Sequence, residues 1–406
     1  LERSGLCDAG ASQSNGAGLD GDARGTNVSV LAGGRVVIPD QVLDPGWVEV
    51  AGDRLKAVGE GAPPRPADVD LTGRLVVPGF VDLHVHGGGG GSYTNGDQQE
   101  AAEVAGFHRR HGTTTTMASL VSAELTELER VVAALADLVA DGLLAGVHLE
   151  GPWLSPRQCG AHDPGLLRDP EGSEVERLLR AGPGTVRMVT LAPELDGGLA
   201  AVGRVVEAGA VAALGHTDAT YAVTREALDA GATVATHLFN AMRPVHHREP
   251  GPVVALLDDP RATVEVIADG VHVHPAMVRR AVTTKGAGRV ALVTDAMAAA
   301  GMADGDYQLG GLPVQVTDGV ARLAEGGAIA GSTLTMDAAF RGAVRDSGLP
   351  LEVAARAAST TPASVLGRAD VGAIEMGRRA DLVVLDQDLR VTAVMAAGAW
   401  VTDAGS

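Results

Sequence analysis

The sequence predicts an α/β fold: a (β/α)8 TIM barrel with a small β-sandwich domain built from both chain ends. Three observations lead there. Residues 78–365 alternate short apolar runs with Ala-, Leu- and Glu-rich helical stretches. Residues 28–77 and 366–406 read instead as short β-rich runs between turns. Several apolar runs of the middle region end on His, Asp or Glu, as the strands of a catalytic barrel do.

The elements follow in chain order. Residues 1–27 are rich in Gly, Ser, Asn, Asp and Ala without apolar periodicity, and read as disordered. They lack the charged start and apolar run of a signal peptide. The segment opens on Leu1 rather than Met, so it reads as a fragment or a mis-set start and is set aside. Runs 28–31, 35–38, 46–51, 54–58 and 68–71 are expected as strands, separated by turns such as Ala51-Gly52-Asp53. Runs 381–385, 391–395 and 399–402 have the same texture. A chain that leaves a domain and returns to it needs its ends close together, which is common.

The middle offers strands at 75–85, 113–120, 144–150, 185–192, 210–216, 232–238, 263–268 and 289–295. Helices are expected between them, for example at 123–140 and 221–230. Gly-Ala pairs at 209–210 and 231–232 act as helix stops. Eight such units over about 280 residues match a barrel. An open doubly wound sheet is the rival, and it would carry a Gly-rich phosphate loop after its first strand. Residues 87–91 are all Gly, but they follow two histidines and no G-K-[ST] comes after them, so they do not read as nucleotide-binding.

Composition narrows the function. With 406 residues and a hydrophobic fraction of 45%, a large core is available. Aromatics are 2%, so that core must be Ala, Val and Leu in close packing. A net charge of −19 speaks against nucleic acid or an anionic membrane surface as main partner. An anionic substrate would need a few local arginines to overcome that field. Two cysteines, Cys7 and Cys159, make no disulfide framework and fit a reducing cytoplasm. No run approaches the roughly 18 apolar residues of a membrane span.

The chemistry centres on 147–153, V-H-L-E-G-P-W. Glu150 is the first residue able to leave the strand before Gly151-Pro152 turns the chain. Alone, that carboxylate reads equally as a metal ligand or as a cap of the next helix. The other strand ends favour the ligand. His84 and His86 lie two apart, hence on one face of the first strand. His216, His237, the pair Asp269 and His272, and Asp295 end further strands. Imidazole with carboxylate suits Zn²⁺ or Fe²⁺ and not Ca²⁺ or Mg²⁺. Many metal barrels bridge two ions with a modified lysine. This chain has only Lys56, in the terminal β region, and Lys285, just before the last strand at the wrong end of the barrel. Glu150 is left as the bridge.

The set H-x-H, L-E-G-P, G-H-T, T-H-L-F-N-A-M, A-D-G-x-H and V-T-D-A resembles the amidohydrolase superfamily. More closely, with R-E-P-G, it resembles its N-acetylglucosamine-6-phosphate deacetylase family, over about residues 28–402. The resemblance implies Glu150, His216 and His237 as one metal site. It implies His84 and His86 as a second, bridged by Glu150 and with Asp295 close by. One or two divalent ions per subunit, Zn²⁺ or Fe²⁺, are implied. Asp295 becomes the general base and acid. Ala161 and His162 become the loop over the substrate, with His162 stabilising the oxyanion. Asn240 and Ala241 contact phosphate and sugar, and His272 contacts sugar. Ile329, Ala330 and Gly331 give a backbone contact. Arg248 binds phosphate from a neighbouring subunit, so a homodimer is implied.

The implied activity is hydrolysis of N-acetyl-D-glucosamine 6-phosphate to D-glucosamine 6-phosphate and acetate, in amino-sugar catabolism. An epimeric 6-phospho-N-acetylhexosamine of the galactosamine type is the alternative. Another metal-dependent amidohydrolase, acting on a cyclic amide, nucleobase or N-acyl amino acid, is a second. A non-enzymatic scaffold is a third, against which the full ligand set argues. Cys159, three residues before His162, reads as inert packing, a spare ligand or a redox-sensitive thiol. His246 and His247 read as loop surface.

Overall fold

The computed structural model describes residues 28–402. The expectation of disorder at 1–27, with Cys7, lies outside the described residues.

Eight parallel strands line the middle of the chain: β1 (Phe80–Asp82), β2 (Thr113–Thr116, resuming as Ala118–Leu120), β3 (Val147–Glu150), β4 (Val186–Leu191), β5 (Val211–Leu214), β6 (Val234–Ala235), β7 (Thr263–Ile267) and β8 (Val290–Val293). They pair in sequence order from β1 to β8. A parallel bridge between Val85 and Ala296 closes the ring, and the Asp295 N–H donates to the His84 carbonyl at 2.8 Å. β3, β6, β7 and β8 are buried at every residue, as strands covered on both faces must be.

A helix follows each strand: α1 (Gln98–Arg110), α2 (Leu125–Ala140), α3 (Gly172–Arg180), α4 (Gly198–Glu207), α5 (Tyr221–Asp229), α6 (Gly251–Asp258), α7 (Pro275–Lys285) and α8 (Met336–Arg345). Their sequences dictate the docking. In α2, Leu125, Leu128, Val131, Val132 and Leu135 recur at helical spacing and are all buried. α5 starts where the Thr220 side chain accepts the Val223 N–H.

Strands of both chain ends join in one mixed sheet of eight strands. Its path runs Ala399–Thr402, Val391–Ala396, Leu382–Leu385, Leu75–Pro78, Val28–Ile38, Gln41–Ala51 and Arg54–Glu60, with Val69–Asp70 beside Val28–Ile38. Where the sequence predicts a sandwich, the hydrogen bonds thus run through a single sheet. Register shifts at Ala32, Gly34 and Val36 bulge its longest hairpin, which bends a sheet rather than starting a second. Alternation sets its two faces. Val76, Leu382 and Val384 pack with Leu31, Val48 and Leu55, while Leu75, Val77, Val383 and Leu385 join the core of the barrel.

The expected strand 75–85 is therefore two strands. The Gly79 N–H bonds the Asp381 carbonyl, and the next N–H, of Phe80, bonds Gly112. The chain changes sheets between those residues. The expected strand 232–238 shrinks to β6 because the backbone turns left-handed at His237, with φ of 27°. One element escapes the sequence reading altogether. After β8 an antiparallel sheet of Gly305–Leu309, Leu312–Thr317 and Val320–Leu323 folds over the barrel mouth on its own small core. Among the described residues no helix is long and apolar enough to cross a membrane.

Candidate active site and metal centre

Alternation along β3 sends Val147 and Leu149 into the barrel wall and His148 and Glu150 inward. The same pattern past β1 sends Leu83 and Val85 outward and Asp82, His84 and His86 inward. From β5, β6 and β8 come His216, His237 and Asp295. Each has a left-handed backbone, with φ of 46°, 27° and 51°. Such a conformation costs a non-glycine residue of order 1–3 kcal/mol and concentrates at functional sites.

Glu150 sits at the centre, buried. Its Oε1 lies 3.1 Å from His216 Nε2 and 3.0 Å from His237 Nε2. Its Oε2 lies 3.4 Å from His84 Nε2 and 3.1 Å from His86 Nε2. Asp295 Oδ1 closes that second side, 3.4 Å from His84 Nε2 and 3.2 Å from His86 Nε2. Glu150 is thus no helix cap: the next helical turn, Pro156–Gln158, begins from Ser155.

The outer ring nitrogens say which face of each imidazole is free. His86 Nδ1 donates to the Ser119 carbonyl at 3.1 Å, and His216 Nδ1 to the Gln158 carbonyl at 2.9 Å. A proton used there leaves the Nε2 lone pair facing inward, as a metal ligand requires. The Nε2 atoms of His216 and His237 stand 3.1 Å apart, and those of His84 and His86 stand 3.0 Å apart. That arrangement calls for a cation between them. Electrostatics agree. Burial opposes a charged His84, yet Glu150 and Asp295 outweigh it and hold His84 well above the usual imidazole range. Burial would raise Glu150, but His84 and the close imidazoles of His162, His216 and His237 hold it well below the usual carboxylate range. Two groups of buried ligand atoms, His84 with His86 and Glu150, and Glu150 with His162 and His216, lie close enough to hold a metal ion and share one carboxylate.

His162 differs. The Ser122 backbone N–H donates to its Nδ1 at 3.3 Å, so the ring proton sits on Nε2, which points at Glu150 Oε2 across 3.4 Å. Burial pushes its pKa down to about 4, which keeps it neutral. His162 therefore presents a donor to the centre where His86 and His216 present acceptors.

Above lies a cavity of about 340 Å³. Ala161, Asn240, Ala241, His272, Ile329 and Gly331 line it, as the sequence reading expected. Cys159 lines it too, on the loop between β3 and α3. Gly160 lets that loop close: with φ of 58°, a Cβ there would meet His216 Cε1 at 2.9 Å. His272 Nδ1 lies 2.6 Å from Asp269 Oδ2, so Asp269 backs His272 rather than reaching the centre. Two of the expected residues lie outside the cavity lining of this chain. Ala330 is buried in the small core with Met297 and Val314, and only its neighbours reach the cavity. Arg248 lies on an exposed loop outside the cavity.

The lysines lie where expected. Lys285 Nζ donates to the carbonyls of Leu256 and Asp259 at the end of α6, and Lys56 pairs with Glu49 in the terminal sheet. The backbone amides of Gly89 and Gly90 are taken by the carbonyls of Ala300 and Ala298, so the glycine run offers no phosphate cradle there.

Sequence reasoning missed several polar residues beneath and beside the centre. His148 bonds Ser119 Oγ at 2.9 Å and Thr190 Oγ1 at 2.8 Å. Asp82, pushed up to about 7 by burial, is held by Thr294. Glu265 lies in the middle of β7. Their signal was a charged or imidazole residue inside an otherwise apolar strand. Arg157, which lines the cavity, had no such signal.

Comparison with known proteins places this geometry. The model of the amidohydrolase family matches residues 75–401. The chain belongs to the amidohydrolase family. Within it, the chain is similar to N-acetylhexosamine-6-phosphate deacetylases. A mutant N-acetyl-D-glucosamine-6-phosphate deacetylase from Mycobacterium smegmatis, solved in complex with N-acetyl-D-glucosamine-6-phosphate, is 55% identical. Its TM-score is 0.91, covering 93% of this chain and 100% of that one. An N-acetylgalactosamine-6-phosphate deacetylase of Escherichia coli O157:H7 is 38% identical over 91% of this chain and 98% of its own. An N-acetylglucosamine-6-phosphate deacetylase of Bacillus subtilis (strain 168) is 31% identical over 89% of this chain and 94% of its own.

Proposed function

We propose that this chain hydrolyses the acetamide of N-acetyl-D-glucosamine 6-phosphate, giving D-glucosamine 6-phosphate and acetate. One observation carries the reading: Glu150 is shared between two pairs of inward-facing imidazoles, with Asp295 on one side, at the floor of a sugar-sized cavity. Glu150, His216 and His237 would hold one divalent ion, and Glu150, His84, His86 and Asp295 a second. Zn²⁺ and Fe²⁺ both suit these ligands. Such an ion supplies Lewis acidity, lowering the pKa of water from 15.7 towards ~7.

The remaining steps belong to the chain. Asp295 takes the proton of the attacking water and passes it to the departing amine, without which the C–N bond would not break. His162 donates its Nε2–H to the oxygen that gains charge, a role worth roughly 10²–10³ in rate for one good donor. His272, Asn240 and Ala241 line the space for the sugar and its phosphate, with Ile329 and Gly331 across from them. Arg248 would reach the phosphate of a second subunit's site, which makes the working unit a homodimer. Arginine suits that task as a planar fork of donors. Cytoplasmic residence fits the sparse cysteines. The division into a terminal β unit (28–77 with 366–406) and a barrel (78–365) is part of the same reading.

The 38% relative named for the galactosamine epimer supports N-acetylgalactosamine 6-phosphate as a second reading. The test is acetate release from both phosphorylated sugars and from unphosphorylated N-acetylglucosamine, with metal counted on the same sample. Release from the phosphorylated glucosamine alone supports the proposal. Faster release from the galactosamine epimer moves the function to the second reading. Bound metal without release from any of the three overturns both.

A further inference from the structure

The polar group least explained by the site so far is Glu265. It lies in mid-strand on β7 between Val264 and Val266 and is wholly buried. Its Oε2 lies 3.4 Å from His84 Nδ1 and accepts the His237 N–H at 3.3 Å. Its Oε1 has no hydrogen-bond partner among the described residues. A carboxylate kept in an apolar strand on those terms costs stability, so packing does not account for it.

The contrast with the other imidazoles says what it does. His86 and His216 each give their outer proton to a neutral backbone carbonyl. Among these rings His84 alone faces a carboxylate from behind. An anionic acceptor fixes the Nδ1–H tautomer and makes the opposite nitrogen a stronger donor. That nitrogen, His84 Nε2, points between Glu150 Oε2 and Asp295 Oδ1, at 3.4 Å from each.

We propose that Glu265 is a positioning residue that builds the His84–His86 half of the metal centre and decides whether its second ion is held. This rests on the two-ion reading of the site given above. A merely structural role is the rival, since Glu265 also steadies the left-handed backbone of His237. The two differ in what they touch. Structural support would serve both halves alike, whereas positioning of His84 serves one.

The test is Co²⁺ titration of the full chain after chelation. It is followed by visible absorption and by elemental analysis, for wild type, Glu265→Gln and Glu265→Ala. Glu265→Gln keeps the volume and one acceptor oxygen, so it remains informative where Glu265→Ala does not fold. Wild type should take two ions per chain. Glu265→Gln should take the first with wild-type affinity and the second about 10–100-fold more weakly. Wild-type affinity for both ions in the variant, or equal weakening of both, overturns the proposal. A wild-type chain that takes only one ion overturns the two-ion reading itself, and this proposal with it.

Discussion

The rim of the barrel and the sheet made from the chain ends solve opposite problems. At the rim, His216, His237 and Asp295 hold left-handed backbones, and ring nitrogens face each other at 3.0–3.1 Å. In the sheet, Val76 and Val384 stand opposite each other in register and both are buried in apolar surroundings. The rim violates local preference at the residues that carry its chemistry, whereas the sheet keeps its left-handed non-glycine residues, Leu389 and Ala397, in its turns. Chemistry resides where preference is violated, and stability resides where it is obeyed. Substitutions at the rim should therefore change activity more than stability, and those in the sheet the reverse.

The sharpest test of that contrast is Glu150→Gln. It removes the charge that both halves of the centre share. Metal content should fall towards zero, and turnover should drop by more than about 10⁴-fold, the scale of losing a member of a catalytic unit. Elemental analysis beside the acetate assay reads both. Retention of two ions per chain would take Glu150 out of the bridging position.

Asp295→Asn comes next and weighs proton transfer against the hold on the Glu150–His216–His237 ion, which Asp295 does not touch. The amide keeps the volume and one oxygen but cannot take a proton at neutral pH. Turnover should fall about 10²–10⁴-fold with the ion of Glu150, His216 and His237 still bound. Near-normal turnover would remove Asp295 from its role. Arg248→Ala is smaller. Losing a charge-assisted bond of about 1.5–3 kcal/mol should raise KM for the phosphorylated sugar about 10–100-fold and leave the unphosphorylated sugar unaffected. An unchanged KM would return Arg248 to the solvated loop on which one chain places it.

Most of the site was readable because several strands are apolar runs that lead into a chemically loud residue, although β2 and β4 are not. His84, His86, Glu150, His216, His237 and Asp295 all came from that pattern, and the structure brings all six together. The pattern failed where position depends on something beyond the strand. Strand limits at 75–85 moved because hydrogen-bond partners change at Gly79, which no local preference reports. The lid sheet at Gly305–Leu309, Leu312–Thr317 and Val320–Leu323 was missed although Leu312–Thr317 alternates buried and exposed residues. Arg157 reaches the cavity only through the loop's path, and Glu265 faces His84 only because the barrel closes.

Between rim and sheet, His108 tests a purely structural histidine. It is buried on α1, and its Nε2–H donates to the Gly87 carbonyl at 2.9 Å. Burial pushes its pKa down to about 4 from the ordinary 6.5. The unfolded chain therefore binds more protons between those values, and stability falls as pH drops from about 6.5 to about 4, by up to about 3 kcal/mol. Denaturant melts of His108→Gln across that window should show a shallower acid loss than wild type. The same slope in both would assign the loss to other groups.

The smallest effects belong to the terminal sheet. Val76 and Val77 are adjacent, and both are fully buried, on opposite faces. Each Val→Ala change should cost about 2 kcal/mol, from two lost methyls and the space they leave. Activity per folded molecule should stay near wild type in both, since neither side chain touches the cavity. What the pair distinguishes is cooperativity. Val77 packs into the barrel core and Val76 into the sheet's own core, yet one backbone carries both. Calorimetry should show a single transition lowered alike in Val76→Ala and Val77→Ala. A separate early transition in Val76→Ala alone, with the acetate assay still intact above it, would mean that the sheet unfolds on its own. The barrel rim would then owe nothing to the sheet that closes the chain.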